Sequence, residues 1–155
     1  MKLRRLEDLP ALLNGKKVVL ANGCFDILHV GHLRYLRDAR ALGDVLVVAI
    51  NSDRSVRLIK DEGRPILGEN ERVSLVSALR TVDYVVLFDE PDVSLVLNVL
   101  RPAIHAKGTD YTVASVPEAA TARSVGAEVV ITGDAKTHAT RDVIKVVVER
   151  FGSAR

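Results

Sequence analysis

Lys17-Val18-Val19-Leu20-Ala21-Asn22-Gly23-Cys24-Phe25-Asp26-Ile27-Leu28-His29-Val30-Gly31-His32 runs from a short apolar segment, through a turn, to two histidines three residues apart. The segment Lys17–Ala21 is continuously hydrophobic rather than alternating, as in strands buried on both faces. Asn22-Gly23 permits a tight turn. After His32, Leu33, Leu36, Ala39 and Leu42 recur at helical spacing, with Arg34, Arg37, Asp38 and Arg40 on other faces, and Gly43 reads as the helix stop. A strand, a polar loop and a helix in that order are one half of a parallel-sheet crossover unit.

The same alternation continues outward. Val45–Ile50, Tyr84–Phe88, Ala103–Ala106 and Glu128–Thr132 are further short strands rich in Val, Ile and Leu. Between them, helices are expected over Glu69–Leu79, Val93–Leu100, Glu118–Ser124 and Thr140–Arg150, with Asn51–Gly68 as loop. Arg101-Pro102 ends the Val93 helix, because a residue before proline avoids the helical region. Pro117 suits the first turn of the Glu118 helix and Gly126 its end. The first dozen residues read as an extra amphipathic helix. The pattern predicts a single Rossmann-like α/β domain, a five-stranded parallel sheet with helices on both faces. Its expected limits are 1–14 for the helical extension and 15–155 for the domain.

Composition narrows the function. The 155 residues hold 22 Lys and Arg against 20 Asp and Glu, a formal net charge of +2, with no Trp. Scattered basic residues and few aromatics argue against a nucleic-acid reader. One cysteine, Cys24, rules out a disulfide framework and a multi-cysteine zinc site. No apolar run approaches a membrane span, and Met1–Asp8 lacks the apolar core of a signal peptide, so a cytoplasmic protein without a membrane partner is expected.

In a parallel sheet the ligand lies beyond the carboxyl ends of the strands. The loop Asn22–Gly31 is therefore the first place to look. Amide groups in the first turn of a helix lack internal partners and sit at the positive end of the helix dipole, which makes an anion site. Gly31 lets a phosphate approach the backbone, and His29 and His32 project to one side, where each imidazole can donate to a phosphate oxygen. Two histidines and Asp26 also suit a partial metal site, but no further His or Cys cluster completes it. Neither a G-x-G-x-x-G fingerprint nor a P-loop is present.

The pattern G-x-F-D-x-x-H-x-G-H, followed by Leu33–Asp44, Val48–Asp53 and Glu71-Arg72, resembles the cytidylyltransferase-like family with its H-x-G-H signature. Lys107-Gly108-Thr109-Asp110-Tyr111 is similar to the K-G-G-D-Y of heptose 1-phosphate adenylyltransferase domains. The likeness runs from about residue 15 to residue 148. It implies an enzyme that joins ATP to D-glycero-β-D-manno-heptose 1-phosphate, releasing pyrophosphate, with Mg²⁺ bound to the triphosphate and no metal held by protein alone. The alternatives are a CTP-dependent transferase acting on glycerol 3-phosphate or phosphoethanolamine, and a nucleotide-binding module without turnover.

The resemblance also distributes roles. His29, His32, Lys60 and Arg72 are the implied catalytic residues. Asn22, Gly23, Cys24, Phe25, Gly31, Lys107, Gly108, Asp110 and Thr140 join the histidines around the nucleotide, with Asp110 on the ribose. Asp26, Lys60 and Arg64 are the implied contacts to the sugar phosphate. Arg72 opens a helix, where a cation opposes the dipole, which favours a ligand role over a helix-forming one. His105, inside an apolar strand, reads as packed, and Cys24 as a small buried residue. The chain departs from the family at Ala139-Thr140-Arg141, where relatives carry Ser-Thr-Thr; Lys136, His138 and Arg141 supply charge instead. Relatives are often homodimers, and the resemblance extends that expectation here.

Overall fold

In the computed structural model, which describes residues 2–134 and 139–152, five parallel strands stand in the order β3-β2-β1-β4-β5. They are β1 (Val18–Gly23), β2 (Val45–Asn51), β3 (Tyr84–Phe88), β4 (Ile104–Gly108) and β5 (Glu128–Thr132). The expected five-stranded parallel sheet is present. The inner strands β1, β2 and β4 are buried on both faces, which explains their apolar runs, while the edge strand β5 is only half-buried. Val19, Ala21, Leu46, Val48, Ile50 and Val85 point one way, against Leu36 and Ala39 of α2 (Val30–Arg40) and Val73 and Val76 of α4 (Glu69–Ala78). Val18, Leu20, Val47, Ala49 and Val86 point the other way, against Leu97 and Leu100 of α5 (Ser94–Leu100) and Ala122 of α6 (Ala119–Ser124).

The remaining elements correct the sequence reading in three places. The N-terminus is not a dozen-residue helix. Leu3 bridges Val85, whose carbonyl accepts from the Arg4 amide and whose amide donates to the Lys2 carbonyl, and a 3-10 turn at Leu6–Asp8 leads into the four-residue α1 (Leu9–Leu12). Leu9 and Leu13 are buried in the second core, so these residues pack as part of it. Within the expected loop Asn51–Gly68 lies a helix, α3 (Asp53–Ile59), capped by Ser52, whose hydroxyl accepts from the Ser55 amide. Gly43 is not a helix stop. A Cβ there would sit 2.5 Å from the Lys17 carbonyl oxygen, so glycine lets the α2–β2 turn lie against β1. Gly126 does end its helix as expected, at φ +83°, with Ala127 donating back to Ala122. The last helix, α7, covers Thr140–Phe151. No helix among the described residues is long and apolar enough to cross a membrane.

β1 and β4 pair only from Val19 and Ile104 to Ala21 and Ala106. Beyond Ala21, the buried side chain of Tyr35, from α2, enters between them. Its hydroxyl donates to the Ala106 carbonyl at 2.8 Å and accepts from the Asn22 amide at 3.3 Å. Burial pushes its phenol well above the ordinary value, so it remains a donor. One side chain thus replaces a ladder step while the strands part. Tyr35→Phe should leave Asn22 N–H and Ala106 C=O unpaired and lower stability by about 1–3 kcal/mol in urea unfolding; an unchanged midpoint would show the hydroxyl is dispensable.

Candidate active site

The strand order reverses between β1 and β4, and the crevice opened there by Tyr35 is where a parallel sheet places its ligand. A cleft of about 1110 Å³ occupies it. Asn22, Gly23, Cys24, Phe25, Asp26, His29, Gly31, His32, Lys60, Arg64, Lys107, Gly108, Asp110 and Thr140 all lie on its wall. Of the expected site residues, Arg72 alone does not. Lys136 and His138 lie outside the described residues.

The histidines are arranged by backbone geometry. His29 is the extended N-cap residue of α2, and its amide donates to Nδ1 of His32 at 3.3 Å. With Nδ1 accepting, the proton of a neutral His32 sits on Nε2. The two rings stack with centroids 3.8 Å apart, and the buried Phe25 ring supports His32 at 5.2 Å. Burial, with His29 adding to it and Asp110 opposing, lowers the His32 pKa to about 4. At neutral pH His32 is therefore an uncharged donor at the positive end of a helix.

The loop carrying these groups is strained and tied down. Phe25 and Ile27 take left-handed conformations at φ 52° and 56°, unfavourable for residues with a Cβ. Between them the Asp26 carboxylate, 1% exposed, accepts from Arg64 Nε at 2.6 Å and from the amides of Ile66 and Leu67 at 2.9 Å. Burial alone would raise its pKa, but those amides and the guanidinium outweigh it and hold the carboxyl below its usual range. The Thr140 hydroxyl donates to the Asp26 carbonyl at 2.7 Å, joining the start of α7 to the same loop.

These bonds change what several residues are free to do. Asp26 and Arg64, both expected on the sugar phosphate, are engaged with each other. Arg72, expected to hold phosphate, is fully buried. Its guanidinium donates to the carbonyls of Leu67, Cys24 and Asn51 at 3.0, 2.6 and 2.7 Å and pairs with Asp53 at 2.8 Å. It fastens the ends of β1 and β2 to α3 and α4 and reaches the cleft only through them. Cations at a helix start invite a ligand reading, and the orphan carbonyls at strand ends that Arg72 serves leave no mark in sequence. Lys60 is exposed at the cleft mouth, free to meet an anion. Cys24 is half-buried, and burial, partly offset by Lys60, Arg72 and Arg64, raises its thiol pKa, which leaves it no nucleophile.

Across the crevice, Lys107 is the last residue but one of β4. It is 6% exposed, with its ammonium 3.4 Å from Asn22 Oδ1, 3.5 Å from Glu118 and 4.6 Å from the Tyr111 ring centre. His105 is packed, as its apolar strand suggests, and its Nε2 meets Asn22 Oδ1 at 3.0 Å. Burial, with Lys107 adding to it, lowers its pKa to about 3. Asp110 is exposed on the cleft wall, and Gly108 precedes it. Sequence reasoning missed Tyr35, Asp53 and Glu118. Tyr35 lies three residues after His32 and so faces the same way along the helix, which was a usable signal. Asp53 falls in the stretch expected as loop, and Glu118 reads as an ordinary helix-start acid.

Residues 20–144 match the cytidylyltransferase-like family. The bifunctional protein HldE of Geobacter sulfurreducens is 40% identical over 156 residues, covering 97% of this chain and 32% of that protein. That of Citrifermentans bemidjiense is 55% identical over 102 residues, 66% of this chain and 21% of that protein. The chain thus spans about a third or less of the length of these curated relatives. Among solved structures, a lipopolysaccharide core biosynthesis protein from Thermoplasma volcanium superposes with TM-score 0.67 at 32% identity, covering 79% of this chain and all of that one. Pantothenate synthetase from Thermus thermophilus, at TM-score 0.67 and 17% identity, shares the fold.

Two outcomes follow from this geometry. Arg72→Leu strands three carbonyls and Asp53 and should cost about 3 kcal/mol or more in chemical denaturation; a loss below about 1 kcal/mol would remove Arg72 from its positioning role. Below about pH 6.5 the unfolded chain binds protons that folded His32 and His105 refuse. Their contribution to stability is complete above pH 6.5 and is lost as pH falls toward about 4 for His32 and about 3 for His105. Side-chain NMR titration should show both rings neutral at pH 5; a His32 midpoint near 6.5 would contradict the site's description.

Proposed function

The chain belongs to the cytidylyltransferase-like family, and on that premise we propose that it transfers the adenylyl group of ATP to a sugar 1-phosphate, D-glycero-β-D-manno-heptose 1-phosphate, releasing pyrophosphate. The observation that carries this reading is the stacked His29–His32 pair at the N-terminus of α2, on the cleft wall at the strand-order switch. The heptose assignment is supported by the likeness of Lys107–Tyr111 to heptose 1-phosphate adenylyltransferase domains and by the bifunctional HldE relatives.

The acceptor's phosphate oxygen attacks the α-phosphorus in line. A bond forms between that oxygen and phosphorus, and the bond to the bridging oxygen of pyrophosphate breaks, its electron pair leaving with pyrophosphate. No protein nucleophile is required, and positioning and charge stabilisation supply the catalysis. Neutral His32 donates through Nε2 to the oxygens on which charge builds, with its Nδ1 held by the His29 amide. His29 lies against it, and the amides of the first turn of α2 add their dipole. Lys60, exposed at the mouth, binds the outer phosphates or the acceptor's phosphate. Asp110 accepts from the ribose hydroxyls. Asp26, Arg64 and Arg72 act by holding the histidine loop in its strained form.

Mg²⁺ enters with the triphosphate in this reading. Among the described residues no three His, Cys, Asp or Glu cluster, and Asp26 has its oxygens occupied, so the ion would be held chiefly through the triphosphate. When bound it neutralises charge on the leaving pyrophosphate.

A pyrophosphate-release assay pairing ATP, CTP and GTP with heptose 1-phosphate, glycerol 3-phosphate and phosphoethanolamine tests the proposal. ATP with heptose 1-phosphate should give turnover, and His29→Ala and His32→Ala should each lower kcat by about 10²–10³-fold. Turnover only with CTP and glycerol 3-phosphate or phosphoethanolamine would replace the substrate assignment. Undiminished turnover in both variants would overturn the mechanism.

A further inference from the structure

On the side of the crevice away from the histidines, the side chains of Lys107 and Glu118 lie together, each only 6% exposed, on the cleft wall. A buried ion pair is costly to form and is seldom the cheapest way to fill a wall. Here it is also incomplete. Ammonium and carboxylate stand 3.5 Å apart, longer than a charge-assisted hydrogen bond, and the other ammonium contact, to Asn22 Oδ1, is 3.4 Å. Oε2 of Glu118, the oxygen that faces the ammonium, is buried and makes no hydrogen bond closer than that long ion-pair contact. A carboxylate of this kind, over nine-tenths buried and short of a donor, is an acceptor awaiting one.

The surroundings fix the pair in place. His105 Nε2 and Lys107 both meet Asn22 Oδ1, and the Tyr111 ring lies 4.6 Å from the ammonium. The result is a rigid donor beside a rigid acceptor, together without net charge. A phosphate would be repelled by Glu118 as much as attracted by Lys107. What fits is a neutral planar edge with one donor next to one acceptor. Adenine offers this as its exocyclic amino group beside an unprotonated ring nitrogen, and cytosine offers the same order. Guanine, uracil and hypoxanthine offer the reverse, an oxo group beside a ring N–H.

We propose that Lys107 and Glu118 form the base-selecting edge of the cleft, with Glu118 accepting from the exocyclic amino group and Lys107 donating to the adjacent ring nitrogen. The assignment rests on the reading of the cleft as a nucleoside triphosphate site. It gives Glu118 a role that the histidine loop and the Lys107–Tyr111 motif do not supply. It also separates the tasks along the crevice, with phosphates at α2, ribose at Asp110 and base at the β4–α6 side.

Calorimetric binding of ATP, inosine triphosphate and 2′-deoxy-ATP to the intact protein tests it without an acceptor, since ATP and inosine triphosphate differ only at this edge. ATP should bind at least about tenfold more tightly than inosine triphosphate, because a mismatched edge leaves buried groups unpaired. In Glu118→Gln, whose amide can turn to present a donor, that ratio should shrink by about tenfold while the ATP to 2′-deoxy-ATP ratio stays fixed. Thermal melting confirms that the variant folds, and the wild-type ATP to inosine triphosphate ratio stands as a test even if it does not. Equal wild-type affinities, an unchanged ratio in Glu118→Gln, or an equal loss for all three nucleotides would overturn the base-selecting role while leaving the nucleotide site intact. Failure of the wild-type protein to bind any triphosphate would overturn the functional reading beneath it as well.

Discussion

The hydroxyl of Tyr35, held between the Asn22 amide and the Ala106 carbonyl, is the contact on which the rest of the molecule depends. Parallel strands stay paired unless something replaces their hydrogen bonds, and an open crevice in a sheet would expose unsatisfied backbone groups. Tyr35 satisfies one donor and one acceptor with a single atom, so β1 and β4 part without that penalty. The same residue stands on α2 one turn beyond His32. The helix that presents the histidines is therefore registered against the two strands whose ends carry Asn22 and Lys107. Thr132 and Gly133, at the end of β5, also lie against its backbone.

Around that pivot, charge is spent on holding the loops. Arg72 joins the ends of β1 and β2, and Arg64 and two amides hold Asp26 between residues in left-handed conformations. Among the described residues, what remains open to a ligand is mostly neutral or singly charged: two imidazoles, a helix N-terminus, Lys60 at the mouth, Arg141 at the start of α7 and Asp110 on the wall. Such a surface binds a polyanion through directed donors rather than through a dense positive field. That division suits a transfer in which the protein must place a triphosphate and release pyrophosphate.

The fold was legible in the sequence because strands buried on both faces leave unbroken apolar runs, and segments such as Val45–Ile50 carry that mark. The histidine loop was legible because a turn, two histidines and a helix start are contiguous. What escaped was whatever depends on contacts between distant segments. α3 was hidden since Asp53–Ile59 follows directly on a strand with no loop composition between them, and its cap, Ser52, resembles any turn serine. Arg72 and Arg64 read as phosphate ligands because sequence records a cation but not the carbonyls or carboxylate that engage it. Glu118 was invisible for the same reason, its partner lying on a strand eleven residues earlier. The short N-terminal segment was read as one amphipathic helix, whereas pairing of Leu3 with Val85 draws its first residues to the sheet edge.

The proposed transfer requires that the stacked imidazoles at the start of α2 receive the phosphates of a nucleoside triphosphate. Long-range proton–nitrogen correlation spectra of the histidine side chains, recorded as a non-hydrolysable ATP analogue is added, test it most directly. The Nε2 resonance of His32 and the ring resonances of His29 should move together and saturably, with the His32 proton remaining on Nε2. Saturable binding of the analogue that leaves both rings unmoved would contradict it.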